Sequence, residues 1–447
     1  MVLKRKKYKA LLDWKSESNG TTAMLVTGAR RVGKSYLCKQ FGTNEYKSMI
    51  IIDFSKPLNA VKEIFENDIN DLDMFFSKLS IHYRTILHKR ESLIVFDEVQ
   101  LYPIARQMIK HFVADGRYDY IETGSLLSIK QNIKDILIPS EEDELELHPL
   151  DFEEFLWAMG DEVTVPFIRT YFELKKPLGQ SVHRRVMNDF RQYMLVGGMP
   201  QSVLAYAESK DFSATDVEKT RILKLYRSDI TKYAKGYEGK VTALFDALPG
   251  QLSKKEKKYK LASINKNARL RDYEDAFMWL SDGMIANSCF NATDPGFGLG
   301  LSLDHSTHKL YMADTGLLVT HAYRRKGYIN NDLYRAILFD KLNINEGMIM
   351  ENMVAQMLRA NGHRLFFYSR TDAKTSKNII EIDFLISSGR KVSPIEVKSS
   401  AYRAHSSLDK FRKKFSKTIG DSYILYPKDI MIKDDVIHLP LYMAMLL

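Results

Sequence analysis

The chain has 447 residues and a formal net charge of +10, and 45% of its residues are hydrophobic. This length predicts several globular domains, and the composition excludes a disordered chain. Its two cysteines, Cys38 and Cys289, lie far apart, and no run approaches the ~20 apolar residues of a membrane span. Disulfide-rich, cysteine-metal and membrane-spanning classes are therefore excluded, and we expect a cytoplasmic protein without a membrane partner.

The first motif in the chain is a glycine-rich loop that fits the pattern G-x-x-x-x-G-K-[ST]. A short apolar run, 23–27, predicts a buried strand before it, and apolar residues at helical spacing follow at 36–41. Such a loop turns its backbone N–H groups towards a polyphosphate, while its lysine supplies a cation and its hydroxyl a Mg²⁺ ligand. The nucleotide-binding residues predicted here are Gly28, Ala29, Arg30, Arg31, Val32, Gly33, Lys34 and Ser35.

Two acids at the end of a wholly apolar segment supply the second half of a nucleotide site. The segment 93–96 predicts a buried strand, and Asp97 and Glu98 follow it. Beside a phosphate loop, Asp97 would hold Mg²⁺ opposite Ser35, and Glu98 would act as general base towards water. The alternative is an acidic pair that caps the next helix. We favour the catalytic interpretation, with ATP and Mg²⁺ as cofactors.

A third predicted strand, 118–123, ends in polar residues that could sense the γ-phosphate. Thr123 and Ser125 are both candidates for this role, and Ser125 could instead cap a helix. Arg30 and Arg31 of the loop could point at phosphate or at a neighbouring subunit, so the sequence leaves an oligomer open.

Alternation of strands and helices predicts a mostly parallel α/β sheet in the first domain, at 1–150. We expect a helical region at 151–235, short helices with a hairpin near 291–303 at 236–330, and a second α/β domain at 331–447. The predicted strands lie at 23–27, 49–54, 92–97, 118–123 and 145–147, then near 364–369, 379–386 and 392–397, with a helix near 348–361.

The order of several motifs resembles an AAA-like family of prokaryotic P-loop ATPases that carry a C-terminal domain of unassigned function. The segments that carry this resemblance are GARRVGKS, LIVFDEVQ, TGSLLS, LHPLDFEEFL, YMLVGGMP, KLYMADTGLL and ENMVAQ. The resemblance implies a RecA/AAA-like P-loop domain with a helical lid at 151–235. Where that family often has Gly-Arg before the L-x-P-L segment, this chain has Pro139-Ser140-Glu141-Glu142, which places any role of that arginine in doubt.

The same resemblance implies a winged helix at 236–330. Tyr273, Ala276, Phe277 and Leu280 share one helical face. Arg269 and Arg271 lie just before this face. Winged helices dock DNA through their second helix, and they serve equally as protein-interaction wedges.

Near the C-terminus, two predicted strands carry acids at alternate positions. Asp383 on one strand and Glu396 and Lys398 on the other predict a Mg²⁺ pocket in which Lys398 orients the attacking water or helps to deprotonate it. The pattern resembles the restriction-endonuclease-like PD-(D/E)XK core, whose first helix often adds a glutamate, here Glu351. The alternative is a decayed site whose domain only binds.

Two lysine-rich clusters could contact nucleic acid, or could be ordinary solvated helix faces. We expect an ATPase that acts on or with DNA through a nuclease-like domain, or, in the alternative, a nucleotide-controlled switch that binds a protein partner and cuts nothing. The clusters comprise Lys254, Lys255, Lys257, Lys258 and Lys260, and Lys410, Arg412, Lys413, Lys414 and Lys417.

Overall fold

The computed structural model divides into two compact units, Val2–His148 and Pro149–Leu447. Within the described residues, no helix is both long enough and apolar enough to span a bilayer. The structure describes residues 2–125, 140–254, 259–264, 266–296, 298–323, 331, 334, 346–371, 378–399 and 405–447.

The N-terminal unit is built on a five-stranded sheet with the order β2-β3-β4-β1-β5. All its neighbouring strands run parallel. Its strands are β1 Ala23–Gly28, β2 Ser48–Asp53, β3 Ser92–Asp97, β4 Asp119–Gly124 and β5 Glu142–Leu147. Its helices are α1 Lys7–Ser18, α2 Lys34–Glu45, α3 Asn59–Asp68, α4 Leu72–Tyr83 and α5 Pro103–Asp115.

The central strands β1, β3 and β4 are buried along their whole length. Continuous apolar runs form such strands because both faces of a parallel sheet are covered. Since β4 lies between β3 and β1, the residues that follow these three strands meet at one edge of the sheet. The sheet therefore brings together the loop after β1, the two acids at the end of β3 and the hydroxyl at the end of β4.

Strand β4 also contains a fully buried acid, Glu122, which sequence reasoning did not single out. Arg106 of α5 contacts it, with 2.9 Å from Nη1 to Oε2, and reaches Glu142 of β5 at 3.0 Å from Nη2 to Oε1. Burial raises the pKa of Glu122 well above its ordinary value, although the charge of Arg106 opposes this. The guanidinium therefore ties α5 to two strands of the sheet.

The C-terminal unit combines helices with an eight-stranded mixed sheet in the order β12-β13-β11-β10-β9-β8-β6-β7. Its helices are α6 Phe152–Ala158, α7 Thr164–Leu174, α8 Gln180–Val196, α9 Pro200–Ser209, α10 Phe212–Tyr233, α11 Glu238–Ser253, α12 Glu274–Asp282, α13 Thr315–Tyr323, α14 Glu346–Ala360 and α15 Ser406–Lys414. Its strands are β6 Ala286–Ala292, β7 Leu303–Met312, β8 Leu365–Thr371, β9 Asn378–Ser388, β10 Lys391–Val397, β11 Tyr423–Tyr426, β12 Met431–Lys433 and β13 Val436–Pro440.

The predicted hairpin near 291–303 is formed by β6 and β7, which pair antiparallel. Strand β6 also pairs parallel with β8, with Cys289 opposite Leu365. The sheet therefore crosses the domain boundary predicted at residue 330. The hairpin, assigned from the sequence to a winged-helix linker, is part of the sheet of the predicted nuclease-like domain.

Three of the motifs that carry the family resemblance meet in the interior of this unit. Asp314 Oδ2 accepts a hydrogen bond of 2.6 Å from the N–H of Gly198. Thr315 donates to Gln356 Oε1 through both its N–H and its hydroxyl, and Gln356 Nε2 donates to Tyr193 OH at 3.0 Å. Each buried polar group thereby gains a partner, as stability requires. These contacts give the three motifs a structural role at the junction of α8, α13 and α14.

Candidate functional site

The glycine-rich loop joins β1 to α2, the order of elements that a phosphate loop requires. Gly33 has φ +101° and Gly28 lies so close to β5 that a Cβ there would be 2.4 Å from the carbonyl oxygen of Leu147. Only glycine adopts such a positive φ and permits such a close approach of the backbone without strain. Arg31 has φ +69°, a conformation that is uncommon for a residue with a side chain. The loop is held in a shape that α2 continues from Lys34 onwards.

Lys34 lies buried inside this loop. Its Nζ donates to the carbonyl oxygens of Gly28 and Ala29 at 2.9 and 3.2 Å. Burial lowers the pKa of Lys34, and the charges of Glu98 and Asp97 oppose that change. An ammonium held by neutral carbonyls gains stability when an anion reaches it, so this side chain is suited to receive a phosphate.

Asp97 brings two hydroxyl groups together at the edge of the sheet. Its Oδ1 accepts a hydrogen bond of 2.7 Å from Ser35 Oγ and a second one from Thr123 Oγ1. Hydroxyl and carboxylate oxygens are the donors that Mg²⁺ prefers, and a nucleotide-bound Mg²⁺ needs only one or two protein ligands. Ser35 and Asp97 therefore fit the predicted magnesium site.

Glu98 follows with a left-handed backbone conformation, φ +55°. Its N–H donates to Thr123 Oγ1 at 3.2 Å, and its carboxylate accepts a hydrogen bond from Gln100 Nε2. The Thr123 hydroxyl therefore links the two acids. Of the two hydroxyls predicted from the sequence, Thr123 has this linking position, while Ser125 directly follows β4 and is the last described residue before residue 140.

Arg5 is a buried residue of the site that sequence reasoning missed. Its Nη1 donates to the carbonyl oxygen of Val32 at 2.9 Å, and its Nη2 donates to that of His148 at 2.6 Å. In a trans peptide the C=O and the following N–H point in opposite directions. Fixing the Val32 carbonyl therefore also fixes the direction of the Gly33 N–H. The basic run at the start of the chain was the only sequence signal, and it did not reveal this contact.

The C-terminal acids occupy β9, β10 and α14. Asp383 Oδ2 accepts a hydrogen bond of 2.8 Å from the N–H of Val397. Burial raises the pKa of Asp383 to about 7, and the negative charge of Glu351 adds to this effect. The carboxylate of Glu396 is buried, and its Oε2 lies 2.8 Å from Lys398 Nζ. The structure therefore brings the predicted residues of the two strands together.

A buried lysine from another strand enters this cluster. Lys309 of β7 donates from Nζ to Glu351 Oε1 at 3.1 Å, and the same nitrogen lies 3.9 Å from Glu381 Oε1. Burial alone would lower the pKa of Lys309, but Glu351, Asp383 and Glu381 raise it above its ordinary value. Tyr311, two residues further along β7, also donates its hydroxyl to Glu351 Oε1. Lys309 is one of several polar residues of β7, so the sequence gave no signal for this role.

The predicted metal site at Glu351, Asp383 and Glu396 fits a divalent cation poorly in this arrangement. One of its three carboxylates is held by the Lys309 ammonium, which a metal would have to displace. Within the described parts of the chain, no group of three or more His, Cys, Asp or Glu side chains is placed to hold a metal ion.

Of the two lysine-rich clusters, the one on α15 is the more fully described in the structure. On α15, Lys410 and Lys413 are exposed while Leu408 and Phe411 are buried. Of the other cluster, Lys255, Lys257 and Lys258 lie outside the described residues.

Helix α12 carries the predicted apolar face. Ala276, Phe277 and Leu280 are buried in it, as the sequence predicted. Its first turn presents Glu274 and Asp275 to solvent, and acids there repel phosphate. Arg269 and Arg271 are exposed just before the helix. The exposed face of α12 is therefore more acidic than that of α15.

Three family models match successive parts of the chain. A family described as AAA domain matches residues 20–156. Two families described as domains of unknown function, DUF8612 and DUF4143, match residues 187–326 and 346–442. No curated protein matches the chain.

Among solved structures, the chain is similar to the Walker-type ATPase of Pyrococcus abyssi, with 16% identity, 72% of this chain and 96% of that chain covered, and a TM-score of 0.41. It is also similar to the ORC1 protein of Aeropyrum pernix, solved in complex with DNA, with 11% identity, 72% and 92% coverage and a TM-score of 0.27. The third is Cdc6p of Pyrobaculum aerophilum, with 11% identity, 75% and 94% coverage and a TM-score of 0.24.

The AAA family match agrees with the geometry of the N-terminal unit. Its five-stranded parallel sheet and its glycine-rich loop at the start of α2 fit a RecA/AAA-like P-loop fold. This fold implies nucleotide binding and, as a rule, a divalent metal. The two other matched families have no described function, so the match supports a P-loop ATPase with a C-terminal unit of unknown function.

Proposed function

We propose that the protein hydrolyses ATP in its N-terminal unit and uses the cycle to control binding of DNA by its C-terminal unit. The observation that carries the first part is the set of hydrogen bonds around Asp97, which joins the hydroxyls of Ser35 and Thr123 beside the loop that contains Lys34. Loop, acid and hydroxyl come from three separate segments and meet at one edge of the sheet.

Each residue has a defined task in this proposal. Lys34 moves its ammonium from two loop carbonyls to the phosphates of ATP. Ser35 and Asp97 would hold Mg²⁺, which when bound would neutralise charge on the phosphates. Glu98 orients and deprotonates the attacking water, and Thr123 couples Asp97 to the backbone of Glu98. Arg30 and Arg31, both exposed on the loop, are candidates for contact with phosphate or with a neighbouring subunit.

The test is ATP binding by Lys34→Ala, measured by calorimetry with and without Mg²⁺. We expect at least a hundredfold loss of affinity, because the variant removes the cation that faces the phosphates. Lys39→Ala is the matched control, since Lys39 is an exposed lysine on the same helix. The ATPase proposal fails if Lys34→Ala binds ATP as tightly as Lys39→Ala and the native chain do.

DNA is the proposed partner of the C-terminal unit because α15 presents Lys410 and Lys413 on its exposed side. Each lysine that neutralises a phosphate releases counterions, so binding weakens as salt rises. In Lys410→Glu/Lys413→Glu both charges are reversed. The slope of log K for DNA against log salt should then become shallower by the contribution of about two phosphate contacts. A matched control is Lys391→Glu/Lys433→Glu, which changes the net charge equally at exposed positions of β10 and β12. Equal binding by the two double variants would favour the protein-partner alternative.

A further inference from the structure

We propose that Lys309 is the resident cation of the acid cluster in the C-terminal unit, and that this cluster works without a divalent metal. The cluster is formed by the carboxylates of Glu351, Glu381, Asp383 and Glu396. The proposal rests on the binding role given to this unit, since a cluster without a divalent ion has no Lewis acid to activate water towards DNA.

The first argument is the position of the ammonium. Lys309 Nζ donates to Glu351 Oε1 at 3.1 Å and lies 3.9 Å from Glu381 Oε1. It stands 5.3 Å from the centroid of the Phe367 ring, so an aromatic face closes another side. Only about 7% of the residue is exposed. The side chain is therefore an interior part of the cluster and not a surface lysine that happens to fold over it.

The second argument is how the fold delivers Lys309. Residues 309 and 311 of β7 point to the same face of the sheet, and both donate to the same oxygen of Glu351 on α14. Helix α14 packs across β6, β7, β8 and β10, which brings the edge strand into reach of acids from the centre of the sheet. Two donors from one strand hold the glutamate that the sequence assigned to the metal.

The third argument is charge balance. Buried carboxylates need cations or hydrogen-bond donors, because an ionised group without them is strongly destabilised away from water. Here Lys398 contacts Glu396, the N–H of Val397 contacts Asp383, and Lys309 contacts Glu351. Each of these carboxylates therefore has a cation or an N–H group of the chain itself beside it, Glu396 through an ion pair alone. A divalent ion entering the cluster would meet the positive charge of Lys309 and break its contact with Glu351.

The experiment is a Mn²⁺ titration of the full chain, followed by electron paramagnetic resonance in the absence of nucleotide. The native chain, Lys309→Met and Lys309→Arg are compared, so that any ion at the phosphate loop contributes equally to all three. We expect Lys309→Met to bind one additional Mn²⁺ per chain, at least tenfold more tightly than the native chain does. Lys309→Arg keeps the positive charge and should gain no site.

A second measurement keeps the proposal testable if Lys309→Met fails to fold. In the otherwise native chain, Glu396→Gln and Asp383→Asn should leave the Mn²⁺ stoichiometry unchanged, and neither Mg²⁺ nor Mn²⁺ should support DNA cleavage. A metal site in the native chain that Glu396→Gln abolishes, or a cleavage activity that Asp383→Asn removes, overturns the proposal. These outcomes do not depend on Lys34, so failure here is distinct from failure of the ATPase proposal.

Discussion

The phosphate loop and the C-terminal acid cluster each contain a buried lysine close to acids, but the two lysines are held by different atoms. Lys34 donates to two backbone carbonyls, and its pKa is lowered by burial. Lys309 donates to the carboxylate of Glu351, and nearby acids raise its pKa. Lys34 contacts neutral groups and would gain a stronger partner when an anionic ligand binds, whereas Lys309 already contacts an anion of its own chain.

This difference explains why similar residue types support different chemistry. A carbonyl-bound ammonium is released at small cost when a phosphate arrives, because it exchanges a neutral acceptor for a charged one. A carboxylate-bound ammonium in the interior is costly to separate from its partner. The N-terminal site is thus arranged for exchange of a ligand, and the C-terminal cluster is arranged to stay as it is.

The largest effect on this contrast between the two sites is expected when Glu98 is replaced. Replacing it by glutamine removes the general base and keeps the shape, so kcat for ATP should fall roughly 10²- to 10⁴-fold. Affinity for ATP should change less than about threefold, because Lys34 and the loop are untouched. Steady-state kinetics together with calorimetry separate the two effects.

The control for Glu98→Gln is Glu91→Gln, an exposed acid that precedes the opposite end of β3. It should leave kcat unchanged. If Glu98→Gln hydrolyses ATP at the native rate, the N-terminal site binds nucleotide through a loop that has no catalytic base at this position.

A third buried lysine sharpens the comparison by its pH dependence. Lys219 donates to the carbonyl of Leu195 and to the hydroxyl of Tyr334, each at 2.7 Å, and burial lowers its pKa to about 8. The unfolded chain would release this proton only near pH 10.4. Between pH 8 and about 10.4 the unfolded state therefore holds more protons than the folded state, so this lysine makes stability rise with pH.

The free energy of unfolding is expected to rise by at most about 1.4 kcal/mol per pH unit in that window. Urea unfolding of the native chain and of Lys219→Met between pH 7.5 and 10 measures it as a difference in slope, and Lys224→Met on the exposed side of α10 serves as control. Parallel slopes for the native chain and Lys219→Met would show that this buried lysine stays charged throughout.

The smallest effect is expected at Arg5, which positions the loop without touching its ligand. Arg5→Met should weaken ATP binding about tenfold, which is about 1.4 kcal/mol, because the Val32 carbonyl and the Gly33 N–H lose their fixed direction. The lysine of Arg5→Lys can reach only one of the two carbonyls. The ATP affinity of this variant should therefore lie between those of the native chain and Arg5→Met. Lys9→Met, on the exposed side of α1, is the control.

A purely structural role for Arg5 would give another pattern. The variant would then lose thermal stability without nucleotide and bind ATP with native affinity. That result would remove Arg5 from the site while leaving the role of Lys34 intact.

Much of the fold follows from local patterns. The five strands predicted in the first 150 residues agree with β1 to β5 within a few residues, since continuous apolar runs bounded by turn residues are typical of buried parallel strands. The segments that supply Ser35, Asp97 and Thr123 were likewise evident, because the order of strands in such a sheet brings their carboxyl ends together.

The sequence did not indicate the pairing of β6 with β8. No local signal tells which strand a hairpin will join, and this pairing links residues far apart in the chain. The domain boundary predicted at residue 330 therefore falls within a segment that connects strands of one sheet.

The sequence by itself determined the glycine-rich loop, the two acids at the end of β3 and the alternating acids on β9 and β10, since each depends on residues that are neighbours in the chain. Tertiary structure alone decided that Arg5 reaches a carbonyl 27 residues away and that Lys309 reaches an acid 42 residues away. The physical reason is that the role of a buried charged side chain depends on the partner that it contacts. That partner is chosen by packing, which no single segment contains.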